Sequence, residues 1–395
     1  MNRVKSFLLI SVVVVGVVLY STNAYAIPTF SRKYNVGCNF CHTVYPRLNE
    51  TGRNFKNNGY RTDDELEPST KKQSFWEQGY GAMPLAIHGK INQEFAPKGN
   101  VKSATGLEEL QLNAGINISS KVSFYLHTHL WEEGEVGGPL VASVRINDLF
   151  GNRHFNLRAG QYELPLSFSP EVERLTAFRY LAFGQSVGGN SFNFEQPQLG
   201  VELNGELGND FWYWAGIVNG SGFGFNETDE AFDNNSAKDP YFRLAKNFND
   251  NTIGVFGYLG NNQVFTDSVN FNQKDRFLRV GGDVNWNFSK LNVRTTLLYG
   301  RDNNFDGLKN KTSFYGGFVE GNYNATDRLV LIGRYDMTKL ADAEATTNEE
   351  SGQTTWTVTP GFQFLILPNI KVGLEYQVRQ KREQDRAIAL LHFAL

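Results

Sequence analysis

From about residue 84 to its end, the chain alternates apolar and polar side chains in segments of about ten residues, and this pattern limits its fold more than any other feature. A two-residue period puts one set of side chains on each face of an extended strand, giving each segment one oily and one polar face. The clearest segment sets Ile370, Val372, Leu374, Tyr376 and Val378 against Lys371, Gly373, Glu375, Gln377 and Arg379. Comparable alternation falls near 85–95, 107–118, 121–131, 140–149, 153–162, 198–206, 210–219, 240–248, 252–260, 275–287, 290–301, 312–324, 327–338, 354–366 and 386–395, which with 369–380 makes sixteen strands.

The connections test this count independently. Short links such as Ser119-Ser120, Gly151-Asn152, Gly208-Asn209, Asn249-Asp250-Asn251, Ser289, Ala325-Thr326 and Leu367-Pro368 follow the even strands, and most are turn-forming types. Longer polar stretches follow the odd ones: 96–106, 132–139, 163–197, 220–239, 261–274, 302–311, 339–353 and 381–385. Short turns on one side and long loops on the other characterise an outer-membrane barrel, and the pattern separates this chain from a soluble β-sandwich. It closes only with an even number of strands and both ends on the periplasmic side. The fold expected is mainly β, a sixteen-stranded antiparallel transmembrane β-barrel over 83–395. Aromatic clusters such as Phe211-Trp212-Tyr213-Trp214 and Tyr241-Phe242 fit interfacial girdles. The longest loop, 163–197, carries Phe168, Phe178, Tyr180, Phe183, Phe192 and Phe194, too much apolar surface to leave in water, and is expected to fold into the barrel mouth.

The opening residues have the layout of a secretory signal: Arg3 and Lys5, then an uncharged apolar run over 7–20, then Ala24-Tyr25-Ala26. Residues 1–26 are expected to be removed, and their apolar run of 14 is shorter than the ~20 a spanning helix needs. With 41 Asp and Glu against 38 Lys and Arg, two of the latter in the leader, the chain is net acidic, which argues against nucleic acid as a partner. The outer membrane of a bacterium, with its lipid as a solvent, is the compartment these features imply.

Both cysteines of the chain lie in one motif, Cys38-Asn39-Phe40-Cys41-His42, inside a segment over 27–82 that lacks the strand pattern. In a C-x-x-C-H site the two thiols form thioethers to the haem vinyl groups and the histidine ligates the iron. Cys38, Cys41 and His42 are assigned those roles for one covalent haem c, with His42 both axial metal ligand and catalytic residue. Zinc binding or a redox disulfide are the other readings of a lone C-x-x-C; the first wants a second ligand pair, the second a βαβ context, and the sequence offers neither. Residues 45–60 are expected to include a short helix ended by Asn58-Gly59.

Pro28, Phe30 and Arg32 before the motif, then Pro46, Leu48-Asn49, Gly52, Phe55 and Asn58-Gly59-Tyr60 after it, resemble the N-terminal signature of the outer-membrane fused cytochrome-porin iron oxidases. The resemblance is specific over 27–60 and architectural beyond. It implies a small, partly helical monohaem cytochrome c segment ahead of a porin-like barrel. It also implies an Fe(II)-oxidising cytochrome that takes one electron from extracellular Fe(II) and passes it to periplasmic c-type cytochromes. Two further readings remain open: an electron conduit for another extracellular redox partner, and a haem-capped diffusion porin.

The far axial position wants methionine or histidine. Met337 follows the inward Arg334 and Asp336 and so faces lipid, leaving Met83 as the accessible methionine. His88, His127, His129 and His154 all alternate with polar residues and face the lumen; Met83 and His88, nearest the motif in the chain, rank first. Because one haem cannot bridge a hydrocarbon layer ~30 Å thick from its surface, the cytochrome segment is expected inside the barrel as a plug. Acidic loops, with Glu132, Glu133 and Glu135 in one, Glu227, Asp229, Glu230 and Asp233 in another, and Asp342, Glu344, Glu349 and Glu350 in a third, would concentrate a divalent cation, but none is assigned as an iron site.

Overall fold

The computed structural model describes residues 29–34, 36–62, 85–96, 98–99, 102–119, 121–222, 233, 235–264, 273–341 and 354–394. The expected signal peptide, Met83, and the acidic residues Glu227, Asp229, Glu230, Asp342, Glu344, Glu349 and Glu350 lie outside the described residues.

Sixteen barrel strands follow one another in the order the alternation dictates: β1 Leu85–Phe95, β2 Ser103–Ser119, β3 Val122–Glu132, β4 Pro139–Ile146, β5 Asn156–Tyr162, β6 Gln198–Glu206, β7 Phe211–Val218 and β8 Asp239–Phe248 form one half. The other half is β9 Asn251–Gln263, β10 Lys274–Phe288, β11 Leu291–Asp302, β12 Thr312–Asn324, β13 Leu329–Leu340, β14 Thr354–Leu367, β15 Ile370–Arg379 and β16 Arg386–Ala394. Each pairs antiparallel with its sequence neighbours, and β16 closes on β1 from Ala387 opposite Phe95 to Ala394 opposite His88. Closure leaves no strand edge with unpaired backbone groups, the condition for a sheet in hydrocarbon.

The two faces separate as the period requires. Ile217, Leu244, Val255, Leu259, Leu297, Val319 and Leu374 point outward and are 37 to 67 % exposed, an apolar surface that lipid, and not water, would solvate. Their neighbours point inward and are paired: Arg243 grips Asp283 with two bonds of 2.5 and 2.9 Å, Arg279 grips Asp302 at 2.7 and 3.0 Å, and Arg334 Nε reaches Asp336 at 2.6 Å. The same alternation corrects the expected girdles. Within Phe211-Trp212-Tyr213-Trp214, Phe211 faces out, whereas Trp212 is buried and stacks on Trp214 in the lumen; Tyr241 likewise turns in while Phe242 turns out.

The lumen is filled. Loop 163–197 enters it, burying Phe168, Tyr180, Phe183, Phe192 and Phe194 against Tyr241, Phe256, Tyr258, Phe277, Phe314 and Phe318 of the wall. Each such ring contributes about 1.5–3 kcal/mol when fully buried. A loop inside a barrel must also satisfy its backbone. Arg334 donates to the carbonyls of Phe178 and Arg179 at 2.9 and 3.0 Å, Glu375 accepts from the amides of Ala177 and Phe178 at 2.8 and 3.4 Å, and the Tyr180 hydroxyl donates to Glu320 at 2.7 Å.

One connection departs from expectation. The link between β4 and β5 spans 147–155, not Gly151-Asn152 alone, because Asp148 adopts a positive φ of 53° and turns its carboxylate toward Arg61 of the N-terminal segment, 2.8 Å away.

If Arg334 holds the inner loop, Arg334→Ala strands two carbonyls and Asp336, a loss of about 3–5 kcal/mol typical of breaking a buried pair. In planar bilayers the wild-type barrel is expected to conduct weakly and the variant to show larger, fluctuating conductance. Equal traces from the two would show that the loop is not the barrier.

Candidate functional site

The cysteine motif folds as a short 3-10 turn, Cys38–Phe40, followed by a small hairpin of His42–Val44 and Arg47–Leu48 and then by a helix, α2, over Glu50–Asn57; a shorter helix, α1, covers Thr29–Tyr34 ahead of it. Asn49 joins motif to helix. Its side-chain oxygen accepts from the Gly52 amide at 2.9 Å, capping α2, while its side-chain amide donates to the carbonyls of Phe40 and Asn39 at 3.0 and 3.3 Å. The Asn49 backbone amide also donates to the Cys41 carbonyl at 2.9 Å. Gly52 has to be glycine: a Cβ there would lie 2.2 Å from that same Cys41 oxygen. Gly59, at φ 73°, ends the helix as expected. Phe30, Phe55 and Tyr60 form a small core, with Phe30 stacked on Tyr60 at 5.3 Å and Tyr60 on Tyr125 of β3 at 4.8 Å.

Anchors to this segment come from around the short-turn end of the barrel. Arg145 of β4 caps α2 by binding the carbonyls of Lys56 and Asn57. Arg47, 1 % exposed, meets Asn292 of β11 and Glu320 of β12, and Lys371 of β15 donates to the Tyr45 carbonyl at 2.9 Å. The turn between β8 and β9 adds Asp250 on the Glu50 amide at 2.9 Å and the Asn249 carbonyl on Arg53 at 3.1 Å. The segment therefore lies across the lumen at that end, as a plug. Lys56 contacts Glu173 of the inner loop at 2.5 Å, so the two fillings of the barrel touch.

Between them is a cavity of about 390 Å³ lined by Cys38, Cys41, His42, Tyr45, His88, His127 and His392, with Phe30, Tyr34, Leu48, Tyr125 and Leu175 among its apolar walls. Both thiols are free, and burial pushes each up from its ordinary pKa, keeping them protonated. His42 Nδ1 donates to the Arg47 carbonyl at 3.2 Å, which fixes the ring and leaves Nε2 free for a metal. Burial also lowers the His42 pKa, favouring the neutral, ligating form. Two thiols and a neutral imidazole on one cavity, whose lining mixes these apolar walls with charged side chains such as Lys90, Glu109 and Lys371, fit a c-type haem. The zinc reading gains no support: among the described residues no group of three or more His, Cys, Asp or Glu is placed to hold a metal ion.

The other sequence candidates separate. His129 is occupied at both nitrogens, by Gln111 at 3.0 Å and Glu132 at 2.8 Å, and does not line the cavity. His154 lies in the exposed turn before β5, bonded to the Glu206 carbonyl, because β5 starts at Asn156 and not at 153. Met337 faces outward as expected. His88 and His127 line the cavity, joined by His392, which had no place among the candidates although its inward facing follows from the outward Leu391 and Phe393. His127 is 1 % exposed with neither ring nitrogen paired, a deficit of about 1–3 kcal/mol. In the first acidic loop, Glu132 and Glu133 lie 3.6 and 3.7 Å from Arg179, so their charge is partly neutralised.

Comparison with protein-family models gives no match, and comparison with curated sequences gives none either. Solved structures do match the fold. OmpT, an outer membrane protein of Vibrio cholerae in trimer form, aligns with TM-score 0.56 and 13% identity over 79% of this chain and 98% of its own. The anion-selective porin from Comamonas acidovorans gives 0.58 and 9% over 79% and 99%, and the outer membrane channel DcaP of Acinetobacter baumannii 0.56 and 12% over 79% and 96%. The chain is thus similar to porin-like barrels.

A side chain at Gly52 must push α2 off the motif, at a cost of about 1–3 kcal/mol or more for overpacking. Gly52→Val is expected to expose residues 36–62 to limited proteolysis while the barrel keeps its heat-modifiable mobility on gels. Protection equal to wild type would show that the close approach is not needed.

Proposed function

We propose that the chain is an outer-membrane electron-transfer protein that oxidises Fe(II) outside the cell and delivers the electron to a periplasmic c-type cytochrome, with one covalent haem c as its resident cofactor. The observation that carries this reading is the convergence of Cys38, Cys41 and His42 on one cavity inside a porin-like barrel. The haem, when bound, supplies a group that takes up and gives away one electron.

The chain's own residues do the rest. Cys38 and Cys41 would anchor the cofactor and His42 would ligate its iron as the catalytic residue, with the Arg47 carbonyl orienting that ring. Phe30, Leu48 and Tyr125 supply apolar wall to the cavity. Phe40, inside the motif and 50 % exposed, offers an apolar contact at the short-turn end, where a periplasmic cytochrome would dock. On the far side, loop residues 164–177 line the cavity, and the same loop reaches the long-loop end, where the Gly189 amide meets the Phe305 carbonyl at 2.8 Å. Packed protein thus spans from cavity to outer mouth. That weighs against free diffusion, while the haem-capped diffusion porin and a conduit for another extracellular redox partner remain the alternatives to Fe(II) oxidation.

Purified full-length protein is expected to give a pyridine haemochrome spectrum with haem in equimolar amount, and Cys38→Ala with Cys41→Ala to lose covalent haem. Mixed anaerobically with Fe(II), the oxidised wild type is expected to show reduced haem absorption bands; unchanged bands would sink the iron-oxidase reading.

A further inference from the structure

We infer that His127 is the second axial ligand of the haem iron, opposite His42, an assignment that rests on the cofactor reading above. Among the described residues, His88, His127 and His392 line the cavity with the cysteine motif. Their surroundings differ. The His88 Nδ1 shares a 2.6 Å hydrogen bond with the Tyr45 hydroxyl, and the rings of Tyr45, His88 and His392 pack together with centroids 5.5 to 6.0 Å apart. These two histidines belong to a cluster of the protein's own.

His127 belongs to none. It is 1 % exposed, and among the described residues its one ring neighbour is the edge of His129 at 5.5 Å and both of its nitrogens are buried with no partner. A neutral imidazole has one N–H to donate and one lone pair to give. Placing such a ring beyond the reach of water and of every acceptor among the described residues is unfavourable unless something else occupies the cavity and takes the lone pair. The iron of a haem bonded to Cys38 and Cys41 through its vinyl groups, and ligated by His42 on the same cavity, would be that partner. Register supports the placement: His127 lies opposite Asn113 on β2, five residues up β3 from its short-turn end, in the wall that faces the plug. Two imidazole ligands would also set a lower potential than a histidine and methionine pair.

The test uses the full-length, haem-loaded protein. Ferric wild type is expected to be low-spin, with the electron paramagnetic resonance and near-infrared magnetic circular dichroism signature of two imidazoles. His127→Ala should become high-spin and return to low-spin when imidazole is added, whereas His88→Ala and His392→Ala should keep the wild-type spectrum. His127→Met should convert the signature to that of a histidine and methionine pair and raise the midpoint potential, a change that a merely structural role would not produce. His127→Ala that stays low-spin while His88→Ala turns high-spin would overturn the assignment, as would a methionine signature in the wild type. A wild type that carries no covalent haem fails at the earlier haemochrome step and removes the cofactor reading together with this one.

Discussion

In hydrocarbon every backbone N–H and C=O must find its partner within the protein, and the closed β16–β1 pairing is how this chain meets that demand. Once sixteen strands close, half of each strand's side chains face inward, and several of them are charged: Arg243, Arg279, Arg334, Asp283, Asp302, Glu320 and Glu375. In an open channel water would solvate them. Here protein does, and the wall must be matched group for group. The inner loop supplies backbone carbonyls to Arg334 and amides to Glu375, so its conformation is set largely by charges on the wall.

The same economy seats the cysteine segment. Among its described residues it has few elements of its own, two short helices and a hairpin with a cluster of a few aromatic rings, and these are too little to hold a stable fold alone. The barrel contributes what is missing. Arg145 closes the C-terminus of α2, Asp148 takes Arg61, and Glu320 is shared between Arg47 of the segment and Tyr180 of the loop. One carboxylate therefore touches both fillings. Barrel, loop and segment are coupled through buried ion pairs whose geometry tolerates little displacement.

What the sequence made legible follows from which signals are local. Period two is local, so all sixteen strands and the facing of Met337 could be read directly, and Asn58-Gly59 marked the helix end because a positive φ has a residue preference. Strand ends were less legible where a tertiary partner decides them. The 147–155 link is long because Asp148 reaches Arg61, and this shift took His154 out of the strand and into solvent. Loop acidity misled in a similar way: Glu132 and Glu133 read as free charge, yet Arg179 comes to them from a loop 46 residues further on, a pairing no local pattern encodes. His392 needed only the facing rule. Nearness in sequence to the motif drew attention to Met83 and His88, whereas a barrel brings its first and last strands side by side.

Filling the lumen has different consequences for a solute and for an electron. A solute needs a continuous open path, and the rings around Phe183 and Phe318, 5.5 Å apart at their centroids, close it. An electron needs short gaps between packed atoms and a site whose charge change is tolerated in a low dielectric. At the cavity burial keeps the His42 imidazole uncharged and raises both thiols, so the motif adds no charge of its own there. The packing of the inner loop and the burial that keeps His42 neutral are thus one property of the plugged barrel, and both accord with the electron-transfer role proposed above.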